Sequence, residues 1–340
     1  MRQRALLVPR ARGEAVRRAM VDAGALAVDL EILAEGDQLA LPLRDGADPS
    51  PEWGAVGERD FPELPAPVRS EFRDLLGWTE EAKALLPRSF DVVGEIVLIR
   101  LPVELEERRF EVGEALLRFV PGSRLVGLDR GVEGAERLRQ VERIAGAGSW
   151  QTRHRENHLE FDVDVRRAYF SPRLAREHAL VADEVREGEH VYDLCCGVGP
   201  FSVTIARDGR ARSVTAVDAN PAAIELMDRT LARYPFGGRV SPRVATVEEF
   251  APHAKPVERV IVNLPREGIK YATLVAPLVA PRGSLQYYEV VPRDEVAQRG
   301  NVVERALSSV APFRVRSVRV VHPYSPSRDL IGIAADRGTT

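Results

Sequence analysis

The chain has 340 residues and a mass of 37.6 kDa, enough for two or three domains with at least one sizeable core. Hydrophobic residues make up 44% and charged residues 29%, which excludes a disordered chain, and no apolar run is long enough to span a membrane. The formal net charge of −3 excludes a protein that coats nucleic acid indiscriminately, although a local basic face is compatible with it. The two cysteines, Cys195 and Cys196, are adjacent and cannot form a disulfide framework, and the first residues do not resemble a signal peptide. We therefore expect a cytoplasmic protein.

The first 64 residues predict a small α+β module. Residues 12 to 23 have the periodicity of an amphipathic helix, and the alternating run from Leu39 to Leu43 predicts a strand. Two stretches rich in turn-forming residues, Asp45–Pro51 and Pro62–Pro67, then interrupt any long element. About 60 residues is close to the lower limit for an independently stable domain.

A second α+β module is predicted over residues 72 to 157. It opens with a strand-like run from Phe90 to Ile99, followed by a helical pattern from Glu104 to Phe119 and a glycine-rich, charged span to about Ala147. Residues 158 to 165 alternate strictly enough for a half-buried strand.

Strand-like and helical runs alternate from about residue 181 onward. The predicted strands are His190–Cys196, Ser213–Asp218, Arg259–Asn263, Ser284–Val291, Phe313–Val321 and Leu330–Ala335. Helices are predicted from Pro200, from Pro221 and near Tyr271–Val279. This pattern predicts an α/β, doubly wound sheet that closes in a C-terminal antiparallel hairpin.

A glycine turn followed by an acidic strand end is the strongest local signal. After Asp193, a strand meets Gly197 and Gly199, which allow a tight turn, and a helix begins at Pro200. The next strand ends in Asp218, whose carboxylate can accept both hydroxyls of a ribose. The spacing predicts a site for an adenosine-bearing cofactor, although the glycines also suit a simple turn.

Two kinds of cofactor fit this turn. Gly197, Gly199 and Ser202 nearly satisfy the dinucleotide fingerprint. The acidic Asp193, the late position of the turn in the chain and the closing hairpin favour S-adenosylmethionine instead.

Two further polar segments are candidates for chemistry. Asn263 and Pro265 follow a buried strand, where the amide can meet a planar ring edge, although an Asn-capped turn is equally common. Upstream, Ser171 is a plausible N-cap, so that Arg173 and Glu177 share one helical face. That pair is either a solvated ion pair or a proton acceptor with its supporting guanidinium.

These segments together resemble the Trm-five family, the archaeal and eukaryotic tRNA (guanine-37-N1)-methyltransferases. The resemblance rests on the runs Phe170–Leu174 with Glu177, Asp193–Phe201, Asp218–Pro221, Asn263–Pro265 and Tyr324–Pro326, which occur in one order. Leu86–Gly94 also matches the start of the family's middle domain, and the similarity covers roughly residues 86 to 335.

The resemblance implies a fold, a cofactor and a set of site residues. The fold is a class I S-adenosylmethionine methyltransferase, Rossmann-like, preceded by two small α+β modules. The implied catalytic residues are Glu177 as general base, Asn263, Arg173 and Tyr169. The implied cofactor-binding residues are Asp193, Cys195, Gly197, Gly199, Phe201, Asp218, Ala219, Thr246 and Asn263, with no metal. The implied substrate-binding residues are Arg130, Arg173, His178 and Pro265.

The sequence departs from the family pattern at three positions. The Arg that contacts O6 of the guanine aligns with Gly127 and Leu128, and Arg130 stands two positions further on. His178 replaces the Arg that follows the base, and Thr246, with Glu248 close by, replaces the acidic residue near the adenine.

We expect three parts with tRNA as the partner. Residues 1–64 are expected to form a tRNA-contacting module, with the tRNA elbow as its candidate contact, and residues 72–157 a tRNA-binding module for the anticodon arm. Residues 158–340 are expected to form the methyltransferase domain with its catalytic entry segment. The protein is expected to act as a monomer, away from membranes. Alternatives are a wyosine-pathway enzyme acting at the same nucleotide, a small-molecule methyltransferase and a non-catalytic RNA-binding protein. The aminocarboxypropyl-transferring branch of that pathway lacks the Pro-Arg-Leu run and the Asn-Leu-Pro loop found here.

Overall fold

The computed structural model describes residues 2–62, 71–134, 138–265 and 269–339. The chain forms two compact units, Met1–Glu71 and Phe72–Thr340. The boundary expected at residue 64 and residues 63 to 67 of the second proline-rich stretch lie outside the described residues. None of the helices in the described ranges is long and apolar enough to cross a membrane.

The first unit is a four-stranded antiparallel sheet with one helix. Its elements are β1 (Arg2–Pro9), α1 (Gly13–Asp22), β2 (Leu33–Glu35), β3 (Gln38–Pro42) and β4 (Ala55–Asp60), in the sheet order β2-β3-β1-β4. The helix and the strand that the sequence predicted here are confirmed as α1 and β3. Val16 and Met20 of α1 pack against Leu6 and Leu41, so the apolar stripe of the helix covers one face of the sheet.

The second unit begins with a four-stranded sheet, a helix that covers it and a two-stranded hairpin. The elements are α2 (Glu80–Ala84), β5 (Asp91–Val93), β6 (Ile96–Ile99), α3 (Arg109–Phe119), β7 (Leu125–Glu133), β8 (Leu138–Gly146), β9 (Gln151–Glu156) and β10 (Leu159–Asp164). The sheet order is β5-β6-β7-β8, and β9 pairs with β10.

Three predictions for this region need correction. Phe90–Ile99 is two antiparallel strands, because Gly94 turns the chain with a φ of 55° where a Cβ would lie 2.3 Å from the carbonyl oxygen of Arg153. The helix expected from Glu104 starts as a 3-10 turn over Val103–Arg108. The glycine-rich span is a long antiparallel pair, β7 with β8.

The remainder is the doubly wound sheet that the alternation predicted. Its elements are α4 (Ala175–Asp183), β11 (His190–Leu194), α5 (Pro200–Asp208), β12 (Ser213–Asp218), α6 (Pro221–Leu231), β13 (Val240–Val244), α7 (Val247–Phe250), β14 (Val257–Val262), α8 (Ile269–Val275), β15 (Val279–Pro292), α9 (Val296–Ser308), β16 (Phe313–Pro323) and β17 (Arg328–Arg337). The prediction missed β13, α7 and α9.

The strand order of this sheet positions the site. The order is β13-β12-β11-β14-β15-β17-β16, and β17 runs antiparallel to both neighbours, which confirms the C-terminal hairpin. The order reverses between β11 and β14, and a ligand crevice is expected beyond the carboxyl ends of the strands at such a point.

Candidate active site

A cavity of about 210 Å³ opens beyond the carboxyl ends of β11, β12 and β14. Eight of the residues singled out from the sequence line it: Tyr169, His178, Cys195, Gly197, Asp218, Ala219, Thr246 and Asn263. Residues from five separate stretches of the sequence therefore meet at the switch point of the sheet.

The Asp218 carboxylate is held rigidly at the end of β12. One oxygen accepts the backbone N–H of Gly197 at 2.7 Å, and the other accepts that of Asn220 at 2.9 Å. Gly197 has a φ of 56°, and Cys195 before it is also left-handed at 66°. The left-handed backbone of the turn brings the Gly197 amide onto the carboxylate, so the turn and the acidic strand end form one unit.

The cavity wall also contains a carboxylate–phenol pair. The hydroxyl of Tyr271 donates to Glu248 at 2.6 Å, which lowers the pKa of that carboxyl group. The Thr246 hydroxyl is engaged elsewhere, because it accepts the N–H of Glu249 in a capping box that begins α7. The acidic group on this wall is therefore Glu248, whereas Thr246 orders the helix start.

Three predicted cofactor residues do not line the cavity and instead support the glycine turn. Asp193 is fully buried and accepts both the N–H and the O–H of Ser202. Gly199 has a φ of 83°, and a Cβ there would lie 2.5 Å from Cε of Met227. Phe201 packs edge-on against His178 with 4.6 Å between ring centroids. The contacts of these three residues support the glycine turn, and their direct contact with a cofactor stays a prediction.

Asp193 gives a pH dependence of stability that can be measured. Burial raises its pKa to about 7, the charge of Asp218 adds to this, and the Ser202 hydrogen bonds oppose it. The native state thus keeps a proton that the unfolded chain releases near pH 4, so stability falls as pH rises through this window.

We expect Asp193→Asn to remove this slope, which amounts to about 4 kcal/mol at about 1.4 kcal/mol per pH unit. Urea unfolding at pH 5, 6, 7 and 8 tests it: the stability of the variant relative to the parent should improve from pH 5 to about pH 7 and then level off. If the unfolding free energies of the parent and the variant change in parallel with pH, the assignment is wrong.

Two further spaces follow the cavity in series. A closed chamber of about 20 Å³ shares Tyr169, Ser171, Leu174 and Asn263 with it, and its other walls are Pro265, His322, Tyr324 and Leu330. A wider cleft of about 260 Å³ shares Tyr169, Ser171, His322 and Tyr324 with the chamber. Arg100, Asp129 and Arg139, from the sheet of β5 to β8, form the outer wall of the cleft.

Of the two arginines predicted to bind substrate, Arg173 lines this cleft and Arg130 does not. Arg130 pairs with Glu106 and Glu142 and does not line the cleft. Arg139, which sequence analysis missed, is buried there, bonds to Asp129 at 2.5 Å and lies 5.5 Å from the ring of Tyr169. No local pattern reveals a buried Arg on a strand, because its acidic partner lies on the neighbouring strand.

The proposed pair of Arg173 and Glu177 does not form. Ser171 makes no capping hydrogen bond with its side chain, Arg173 lies in a 3-10 turn, and α4 begins only at Ala175. The side chain of Arg173 instead bonds to Asp91 of β5 at 2.7 Å and faces the cleft. The helical i,i+4 spacing was therefore the wrong geometry for these two residues.

Glu177 is buried behind the chamber, with its carboxylate held by two side chains. Arg319 donates to it at 2.7 Å, and the hydroxyl of Tyr288 donates at 3.0 Å. The hydrogen bond to Glu177 raises the pKa of Arg319, and burial raises the pKa of Tyr288 well above its usual range. Neither partner was predicted from the sequence.

The strand register explains how this cluster relates to the chamber. Tyr288, Gly332 and Arg319 form one row across β15, β17 and β16, and the missing side chain of Gly332 leaves space for the carboxylate. The next row on the same face contains Leu330 and His322, which are chamber walls. Glu177 is therefore one strand row away from the chamber.

His178 belongs to a second buried pair. Its Nδ1 is 2.6 Å from a carboxylate oxygen of Glu156, and both side chains are almost completely buried. His178 lines the first cavity and not the outer cleft, where a tRNA contact was expected.

Family comparisons agree with the fold. Three family models match in order: the tRNA methyltransferase 5 N-terminal domain over residues 5–51, the TYW2 N-terminal domain over 72–149, and the TRM5/TYW2 methyltransferase domain over 152–316. These models divide the chain in the same order as the observed sheets.

Similar whole proteins extend this result. The tRNA (guanine(37)-N(1))-methyltransferase Trm5b of Pyrococcus abyssi is 31% identical over 97% of both chains, and its crystal structure superposes with a TM-score of 0.72 over 99% of both. The complex of aTrm5 with tRNALeu superposes with a TM-score of 0.69, 26% identity and 98% and 99% coverage. The tRNA 4-demethylwyosine(37)-methyltransferase Taw21 of Saccharolobus solfataricus is 27% identical over 68% of this chain and 92% of its own.

Proposed function

The chain belongs to the Trm5 family of S-adenosylmethionine-dependent tRNA (guanine(37)-N(1))-methyltransferases, and on that premise we propose that it methylates N1 of guanosine 37 in tRNA. The observation that carries this proposal is the series of three spaces. The cavity at the glycine turn, the closed chamber beyond Asn263 and the outer cleft share walls one after another. A base drawn from a tRNA loop would enter through the outer cleft, and the chamber, at about 20 Å³, must widen before the base meets the cofactor at Asn263 and Tyr169.

The cavity fits S-adenosylmethionine, which supplies a methyl group carried on a sulfonium. The Asp218 carboxylate, fixed by the Gly197 and Asn220 amides at the end of β12, is an anionic acceptor that suits the ribose hydroxyls. Glu248 and Tyr271, which also line the cavity, suit the polar edge of the adenine.

Proton removal is the chemical step that this chain must provide. N1 of guanine carries a hydrogen near neutral pH, so its lone pair becomes available only as a base takes that proton. Glu177 lies one strand row from Leu330 of the chamber wall, and we assign it the role of base. Its carboxylate must then exchange the bond with Arg319 for one with the guanine.

Charge that develops on O6 requires a donor. Arg139 supports this role better than Arg130, because Arg139 lines the cleft and contacts the ring of Tyr169. Asn263 and Pro265, at the junction of cavity and chamber, would orient the purine edge. Tyr169 and Arg173 would support the pocket and a neighbouring phosphate.

The rest of the chain would hold the tRNA as a monomer. Residues 72–157 are assigned to the anticodon arm, because their sheet forms the outer wall of the cleft. Residues 1–64 are assigned to a distant part of the tRNA such as the elbow. Arg100 and Arg173, both exposed at the cleft, suit phosphate contacts, which weaken steeply with salt.

Single-turnover transfer from methyl-labelled S-adenosylmethionine tests the proposal on two otherwise identical transcripts, one with G37 and one with A37. We expect label only with G37, recovered as 1-methylguanosine after nucleoside analysis. Label on the A37 transcript, or at another guanosine of the G37 transcript, would contradict the assignment.

A wyosine-pathway activity is the second candidate, because Taw21 is similar to most of this chain. It predicts transfer to tRNA that carries 4-demethylwyosine at position 37 and none to the G37 transcript. A carboxyl-labelled cofactor separates aminocarboxypropyl transfer from methylation, since the carboxyl group reaches the tRNA only in the former.

A further inference from the structure

The cofactor carries an α-carboxylate that the site residues described so far do not bind. We propose that Glu156 and His178 form a pair that recognises this carboxylate, with Nε2 of His178 as the contacting atom. The inference rests on the identity of the cofactor and does not depend on which tRNA nucleotide is modified.

In this pair the Glu156 carboxylate orients the ring of His178. Nδ1 of His178 is 2.6 Å from Oε1 of Glu156, so the ring is fixed with that edge toward β9. The side chains are 1% and 3% exposed. Phe201 supports the ring edge-on from α5.

Nε2 of His178 is the polar atom that remains. It is buried, and within the described part of the chain it has no hydrogen-bond partner. Buried polar atoms almost always have one, and an exception beside a ligand cavity indicates that the ligand supplies it. His178 lines the same cavity as Asp218.

A carboxylate ligand at Nε2 requires a proton on both ring nitrogens of His178, with Nδ1–H donating to Glu156 and Nε2–H donating to the ligand. The Glu156 carboxylate then offsets the positive charge of that ring. A second ring, that of His154, has its Nε2 3.8 Å from Oε2 of Glu156. Burial lowers the pKa of His154, and its Nδ1 accepts the N–H of Gly94, so this ring is neutral near pH 7. The α-carboxylate is the only anionic group of the cofactor.

The position of His178 suits the methionyl end. Asp218 and Thr246 follow β12 and β13, where the ribose and adenine are assigned. His178 lies on α4, which packs on α5 at the other side of the glycine turn. A ligand anchored at Asp218 would extend its amino-acid tail toward that helix pair.

Decarboxylated S-adenosylmethionine provides a direct test, because it retains the sulfonium and the amine and lacks only the carboxylate. Isothermal titration of the full chain without tRNA should show S-adenosylmethionine binding about 10- to 100-fold more tightly, as expected for one charge-assisted contact. In His178→Leu the ratio of the two affinities should fall to about 1 to 3, because only the affinity for S-adenosylmethionine is lost.

Two further variants keep the test decisive. His178→Gln retains a neutral donor in place of the ring and should give an intermediate ratio, which provides a measurement if the Leu variant fails to fold. Tyr271→Phe at the adenine wall should weaken both ligands by the same factor and leave the ratio unchanged. Equal affinity of the parent protein for the two ligands, or a parallel loss for both in the His178 variants, would overturn the inference. Failure of the parent to bind either ligand would instead refute the cofactor assignment.

Discussion

Replacing Glu177 by Gln is expected to slow single-turnover methylation by about 100-fold or more, in the range of a lost general base. An amide of the same shape can still occupy the space over Gly332, yet it cannot take the N1 proton at neutral pH. Glu177 does not line the cofactor cavity, so the affinity for S-adenosylmethionine should be unchanged. Rapid-quench measurement at saturating cofactor and enzyme, with isothermal titration alongside, separates the two quantities.

Arg319→Gln is the matched control, because it removes the same ion pair from the other side. If Glu177 only stabilises the fold through Arg319, both variants should lose rate and stability equally. If Glu177 is the base, the Arg319 variant should keep most of the rate while sharing the stability loss. An unchanged rate in the Glu177 variant, or an equal loss in both, would remove Glu177 as the base.

Replacing Asp218 by Ala is expected to weaken S-adenosylmethionine binding by about 100-fold or more. The change removes an anionic acceptor for the ribose and also the partner of the Gly197 and Asn220 amides, so the glycine turn loses its anchor. Binding of tRNA, measured by filter retention at low salt, should persist, because the cleft lies beyond the chamber.

A nucleoside pair separates ribose recognition from turn stability. The parent protein should bind adenosine more tightly than 2′-deoxyadenosine, and Asp218→Asn should lose most of that preference while keeping an oxygen for the Asn220 amide. If the variant retains the full preference, the ribose assignment is wrong.

The methyltransferase sheet could be predicted from the chain because its signals are local. Apolar runs of strand length alternate with helical periodicity, and the segment from Asp193 to Pro200 combines glycine conformations with a helix start within eight residues. Asp218 was identified for the same reason. The end of the strand that follows the next helix can be located in the sequence to within a few residues, and Asp218 is the acidic residue there. The comparisons support this part of the expectation.

Errors in the predicted elements came from contacts between segments distant in sequence. Gly94 divides the expected strand because the backbone at Arg153 occupies the space where a side chain would lie. Arg173 turns toward Asp91, 82 residues away, and the helix begins after it. Local periodicity contains no information about either neighbour.

The partners of the buried charges could not be predicted from local sequence pattern, for the same reason. Glu177 contacts Arg319, which is 142 residues away in the sequence. The contact depends on the strand register, which places Gly332 between Tyr288 and Arg319 in one row of the sheet. His178 meets Glu156 because α4 packs over the end of β9. Residue types and spacing were enough to identify the cofactor turn, the fold and the family. The packing of distant strands selects which ionic partner each buried side chain has, because a charge removed from water is stabilised by whichever group the fold brings within bonding distance.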